Sequence, residues 1–357
     1  MRSSSIDLLG EKNWTLSSDL ESIFERTQHI WESLDGSRIF ITGGTGFIGC
    51  WLLESLTYAA KKLNLDIAAT VLTRSEESFR RKAPTLACSP YINFVEGDVV
   101  DFPSPPGKYS HLIHAATDAS ADLNENNPLR MFGTVIDGTR RALDFAVEKN
   151  VVKTLFLSSG AVYGQQPWDM LNVSEDYIGA PNCLDARATY AEAKRAAEML
   201  CAIYAKQFGT KISIARIFAL LGPYLSLEIH FAAGNFIRDA MKGQDIVING
   251  NGLPCRSYLY ASDLTVCLWH LLLQGRPGQP YNVGSSEGIS IKELAKKVAL
   301  VLEGPPPMIL GEKDLGWNPG RYVPSTDLIE HELNLKRTVS IEQAILRTAI
   351  WNGWRGK

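Results

Sequence analysis

From Arg38 onward the chain alternates short apolar runs with longer stretches in which apolar residues recur every three to four positions. The runs Arg38–Thr42, Ile67–Thr73, Ile92–Glu96, His111–Ala115, Thr154–Ser158 and Lys211–Ile217 are short and rich in β-formers, and predict strands. Helical spacing predicts helices over Ile48–Leu63, Pro128–Glu148 and Thr189–Phe208. Leu155-Phe156-Leu157 is apolar without alternation, as a strand buried on both faces should be. Such an alternation predicts an α/β fold, a doubly wound parallel sheet with helices on both faces. Residues 1–36 read as an N-terminal extension with one helix, roughly Leu20 to Leu34. After residue 217 the pattern loosens: "GQDIVINGNGLPCRSYLY" predicts short strands around turns, and "SIKELAKKVALVL" a helix. The expected division is therefore an extension (1–36), a sheet domain (37–217) and a smaller mixed C-terminal lobe (218–357) with segments returning to the sheet domain.

Composition narrows the classes. The 357 residues, 45% apolar and 21% charged, suffice for a sizeable core. A formal charge of −3 gives no bulk attraction to nucleic acid or an anionic membrane. No run has the length of a bilayer span, and the N-terminus has no apolar signal core, so a cytoplasmic protein is expected. The six cysteines never form CxxC and the six histidines never form HxxxH, which predicts reduced thiols and no metal site.

"TGGTGFIG" joins the first predicted strand to the first helix. Glycines let backbone approach a ligand closely, and the helix start offers free N–H groups and a positive dipole end. Gly43, Gly46 and Gly49, with Thr45, Phe47 and Ile48 between them, read as a cradle for a dinucleotide pyrophosphate. An NAD site calls for an acid at the end of the second strand; here Thr73, Arg74 and Ser75 stand there. Arg74 suits a 2′-phosphate and tilts the choice between NAD and NADP toward NADP. Asp98, followed by Val99, is placed to meet the adenine edge.

"TYAEAK" sets Tyr190 and Lys194 one helical turn apart on one face. A neighbouring ammonium and a cationic nicotinamide ring would favour the phenolate, giving a base for a sugar hydroxyl. The chain holds a second YxxxK, Tyr58 and Lys62, at the far end of the first helix. Ligands in such folds bind at the carboxyl ends of the strands, so position selects Tyr190. "FLSSGAVYG" puts Ser158 and Ser159 at the end of the fifth strand, where a hydroxyl can steady a developing oxyanion.

With the glycine motif, "GD" after the third strand, "HAA" after the fourth, "SSGAVYG" after the fifth and YxxxK, the chain resembles an extended short-chain dehydrogenase/reductase of the NAD-dependent epimerase/dehydratase group. The resemblance runs over roughly residues 38–350. It implies a Rossmann sheet, a nucleotide-diphosphate sugar as substrate, and Ser159 as the catalytic hydroxyl. It implies Arg256 and Arg321 as pyrophosphate contacts, Asn235 as a nucleotide-sugar contact, and Ala115, Ala116 and Thr117 as cofactor lining beside a structural His114. It also implies a homodimer built through the helices Pro128–Glu148 and Thr189–Phe208.

The departures narrow the chemistry. Sugar 4,6-dehydratases of this group carry Asp-Glu just after the catalytic hydroxyl, and nucleotide-sugar decarboxylases carry Glu at the second of those positions. Here the two are Gly160 and Ala161, which transfer no proton. Ala219 stands in "RIFALLGP" and Val135 in "TVIDGT" where the group usually has Asn. The expected function is an NAD(P)-dependent nucleotide-sugar epimerase; the alternatives are an NADPH-dependent 4-keto-deoxy-sugar reductase and a non-catalytic NADP(H) sensor. An additional acid/base for other stereocentres would fall to Cys183 or His230, each otherwise structural.

Overall fold

The computed structural model describes residues 11–117, 121–167, 169–228, 232–311 and 320–356. Its central sheet begins with β1 (Arg38–Thr42), β2 (Ala68–Thr73), β3 (Ile92–Glu96), β4 (His111–His114), β5 (Lys153–Ser159) and β6 (Ile212–Ile217). Those are the six expected strands. The C-terminal third adds β7 (Cys255–Arg256), β8 (Pro280–Val283), β9 (Ile289–Ser290) and β10 (Arg321–Tyr322). β8 joins the central sheet, pairing parallel to β6 from Pro280↔Ile214 to Val283↔Ile217. The sheet order is β8-β6-β5-β4-β1-β2-β3, all parallel, so chain direction across the sheet reverses beside β1. Ligands of open α/β sheets sit in the crevice at that switch.

The helices that frame it are α1 (Leu16–Trp31), α2 (Phe47–Leu63), α3 (Glu76–Lys82), α4 (Pro128–Glu148), α5 (Thr189–Phe208), α6 (Ala261–Gln274) and α7 (Ile341–Trp351). Alanine-rich α5 stops at Gly209, whose φ of 71° closes the last turn in the left-handed region. α4 and α5 cover one sheet face through Met131, Val135, Leu143, Ala193 and Ala197. On the other face α1, α2 and α6 share a core with β1 and β2.

The extension is part of that core. Trp31 and Trp269 pack with ring centres 4.8 Å apart and planes inclined at 59°, and both are fully buried. Their indole N–H groups donate to Thr27 and Ser55, each at 2.8 Å, so neither ring leaves a polar atom stranded. Tyr58 and Lys62, the second YxxxK, both donate to Glu21 of α1. They fasten two helices together, away from the sheet's carboxyl edge.

β7, β9 and β10 form a small sheet, order β9-β7-β10, with β10 parallel to β7. Its register pairs Arg321 with Cys255 and Tyr322 with Arg256. The Tyr322 hydroxyl lies 3.4 Å from the carbonyl of Ile217, the last residue of β6. The small sheet thus reaches the carboxyl ends of the large one.

Candidate active site

The glycine turn is closed by contact. Gly43 has φ +72°, and a Cβ there would lie 2.6 Å from the Ala115 carbonyl carbon and the Ala116 nitrogen. A Cβ on Gly49 would meet the Gly43 oxygen at 2.4 Å. Both glycines are therefore needed for α2 to start this close to β1 and β4. Gly46 serves as N-cap, so the amides of Phe47 and Ile48 belong to the first turn, whose N–H groups have no intrahelical partner.

His114 shows how this corner is tuned. The Thr139 hydroxyl donates to the Val135 carbonyl at 2.7 Å, so it accepts from His114 Nε2 at 3.1 Å. Nδ1 is then the acceptor for the Thr42 hydroxyl at 2.7 Å, and Thr42 in turn accepts the Ala116 amide at 3.2 Å. Burial holds the imidazole neutral, its pKa pushed down to about 3. His114 is a strut that fixes the Ala115–Ala116 backbone against Gly43. Beside it the Thr117 hydroxyl is buried with no hydrogen-bond partner among the described residues. A cradle without room for side chains and a stranded hydroxyl beside it fit a dinucleotide.

At the end of β2, Thr73 accepts the Ser75 amide at 3.2 Å, and Ser75 caps α3. Arg74 stands exposed between them. Lys82, at the last turn of α3, donates to the Thr45 carbonyl at 2.8 Å. It brings a cation to the glycine turn that sequence spacing did not reveal. Asp98 accepts the Val100 amide at 3.2 Å, and Val99 packs where a side chain on Gly138 would fall.

β5 ends at Ser159, whose hydroxyl accepts the Ala161 amide at 3.2 Å and opens a 3-10 turn, Gly160–Tyr163. α5 starts opposite, with the Tyr190 amide donating to Asn124 at 3.0 Å. The Tyr190 phenol comes within reach of the Ser159 hydroxyl; burial raises its pKa and Ser159 draws it back down. Lys194 is 2% exposed and donates to the Leu157 carbonyl at 2.8 Å, over the Phe156 ring. Burial lowers its own pKa to about 8. The Lys194 ammonium is turned to the strand carbonyl.

Of the expected substrate contacts, Arg256 and Arg321 do not face the same way. With Arg321 beside Cys255 and Tyr322 beside Arg256, alternation puts the two arginines on opposite faces of the small sheet. Arg321 donates to the Leu171 carbonyl and approaches the Cys255 sulfur at 3.5 Å, whereas Arg256 lies with Tyr322 toward Ser159. Asn235 accepts from Arg238 one turn away at 3.3 Å. Cys183 is exposed, and His230 lies outside the described residues. Two residues unseen in the sequence pack at the carboxyl end of β5. Phe218 occupies the space a side chain at Gly160 would need, its ring 2.5 Å from a Cβ there, and Tyr322 stacks on Phe218 at 4.5 Å.

No group of histidine, cysteine and acidic side chains suited to a metal occurs among the described residues, and no described helix is long and apolar enough to cross a membrane. Residues 39–284 match the sequence profile of the NAD dependent epimerase/dehydratase family. UDP-glucuronic acid decarboxylase 6 of Arabidopsis thaliana is 30% identical over 263 residues, 73% of this chain and 73% of that protein. Among solved structures, UDP-N-acetylglucosamine 4-epimerase from Methanobrevibacter ruminantium M1 superposes with a TM-score of 0.77 at 21% identity, covering 88% of this chain and 98% of that one. The dTDP-glucose 4,6-dehydratase of Streptomyces venezuelae superposes at 0.75 with 23% identity, covering 88% and 96%. These two establish a shared fold. By the profile match and the sequence identity, the chain is an enzyme of the NAD-dependent epimerase/dehydratase family.

Proposed function

We propose that the enzyme is a nucleotide-sugar epimerase that oxidises a sugar hydroxyl to a ketone, lets the ketone turn over, and reduces it from the other face. One observation carries the choice: the carboxyl end of β5 offers a hydroxyl–phenol pair, while the space a side chain at Gly160 would need is filled by the Phe218 ring and Ala161 follows it. Elimination and decarboxylation, the chemistry named for several relatives, lack the acid after Ser159 that the family's other branches carry. Epimerisation through a ketone needs only one proton to leave and return.

In this reading Tyr190 takes the hydroxyl proton and Ser159 donates to the same oxygen. Lys194 would hold the nicotinamide ribose. Gly43, Thr45, Gly46, Phe47, Ile48 and Gly49 hold the pyrophosphate, with Asp98 and Val99 at the adenine and Ala115, Ala116 and Thr117 along the other wall. NAD bound there supplies the hydride acceptor. Arg256, from the lobe contributed mainly by 218–357, binds the sugar nucleotide's diphosphate, as a guanidinium fork suits. Leu129, Phe132, Met199 and Ile203 are 84%, 40%, 61% and 39% exposed along α4 and α5, and we assign this apolar face to a homodimer.

Mass spectrometry of small molecules released from purified protein, paired with NMR of UDP- and dTDP-hexoses incubated with it, tests the proposal. Retained NAD(H) and an epimeric product are expected; net consumption of added NADPH would overturn it. The second reading, an NADPH-dependent ketoreductase, is favoured by Arg74 and by Lys82 near the glycine turn. If it holds, Arg74→Ala should weaken NADP binding roughly tenfold or more and NAD binding little, measured by calorimetry. Equal weakening would exclude a 2′-phosphate contact.

A further inference from the structure

Tyr190 stands in the least secure turn of its helix. α5 starts at Thr189, so Tyr190 is its second residue and Lys194 lies one turn further in. The amides of a first turn have no intrahelical acceptor, and a side-chain oxygen just before the helix normally supplies one. Here that place belongs to Ala188, which has no oxygen to offer. The oxygen comes from another part of the chain. Asn124, on the short helix Ala121–Asn126, accepts the Tyr190 amide on Oδ1 at 3.0 Å and donates from Nδ2 to the Arg187 carbonyl, also at 3.0 Å. One side-chain amide thus bridges the 3-10 turn Ala186–Ala188 and the first turn of α5. The nearby contacts are local: Asp185 accepts the Arg187 amide at 3.0 Å, and the Thr189 hydroxyl donates to the Ala186 carbonyl at 2.6 Å. They tie the turn to itself, whereas Asn124 ties it to a second helix. Leu123, beside Asn124, and Tyr190 pack on the same core under α4 and α5.

We infer that Asn124 is a positioning residue for Tyr190: it caps the catalytic helix where Ala188 cannot, and fixes the backbone that carries the phenol. The inference rests on the reading of Tyr190 as the base. Lys194 needs no such help, because burial and the Leu157 carbonyl hold it one turn further along. Without the cap the first turn of α5 frays while Lys194 stays in place, and the two residues lose their fixed spacing. Asn124 makes and breaks no covalent bond; it sets a position.

The test joins amide hydrogen exchange of the NAD-loaded protein to turnover of UDP- and dTDP-hexoses. In Asn124→Ala the Tyr190 amide should exchange about five- to tenfold faster, the usual worth of a lost cap. The value of kcat should fall by a similar factor, with KM and NAD affinity within twofold. Asn124→Asp keeps the acceptor and adds a charge suited to a helix start, so it should restore protection and most of the rate. Asn127 caps α4 in the same way, accepting the Arg130 amide at 3.2 Å. Asn127→Ala should therefore speed exchange at the start of α4 and leave kcat alone. Unchanged Tyr190 exchange in Asn124→Ala would overturn the inference, as would faster exchange with an unaltered kcat. An Asn124→Asp protein as slow as Asn124→Ala, or an equal loss of kcat in Asn127→Ala, would do the same. A parental rate in Tyr190→Phe would remove the base assignment and this inference with it, even where exchange shows the cap.

Discussion

Tyr190→Phe is expected to lower turnover of a nucleotide sugar about 10³-fold while NAD affinity moves no more than a few-fold. The phenol lies beside Ser159, and phenylalanine keeps its shape. The cofactor cradle is built from β1, α2 and the backbone after β4, none of which touches the lost oxygen. Stopped-flow or NMR turnover set beside calorimetric NAD binding separates the two effects. A drop smaller than tenfold would take the phenol out of the chemistry.

Glu198→Ala should cost roughly 3–5 kcal/mol of stability, read from denaturant unfolding. Glu198 holds Arg216 through two contacts, 3.0 and 2.7 Å, and accepts the Ser158 hydroxyl at 2.6 Å; both ionic side chains are 14% exposed. Arg216 continues to the Tyr163 hydroxyl at 2.9 Å, and that hydroxyl to Asn282 at 2.8 Å. The network ties α5, β6 and β8 behind the carboxyl end of β5. Removing the carboxylate strands a guanidinium whose charge cannot be shed. The double variant Glu198→Leu with Arg216→Met should recover much of the loss, because a buried pair is often no better than apolar residues of similar volume. If the single change costs under 1 kcal/mol, water already reaches the pair.

The six strands, the close-packed glycine turn and the placing of Tyr190 and Lys194 on one helix were legible in the sequence because each rests on local spacing: apolar runs, three-residue glycine steps and one helical turn. β8 was not, since four residues beyond a loosened pattern carry no periodicity. Tyr322 was invisible for a similar reason: it sits on a two-residue strand, and its approach to the Ile217 carbonyl depends on how two sheets cross. The opposed faces of Arg256 and Arg321 follow from pairing parity, which a single chain does not display. Lys194 was read as Tyr190's electrostatic partner, but the Leu157 carbonyl competes for its ammonium. The helix of the extension was foreseen about three residues late, and its burial against Trp269 was hidden by the ordinary look of an amphipathic helix.

That first helix is bolted from several sides. Arg26 meets Asp263, Arg347 meets Asp19 at 2.7 Å, and Tyr260 meets the same Asp19 at 2.6 Å. Homology and autonomy therefore part company here. Trimmed to the profile-matched stretch 39–284, the polypeptide would lose both of its own ends from the back of the sheet. Trp269, stripped of Trp31, would be left to find another cover, so the two termini are structural mortar for the sheet.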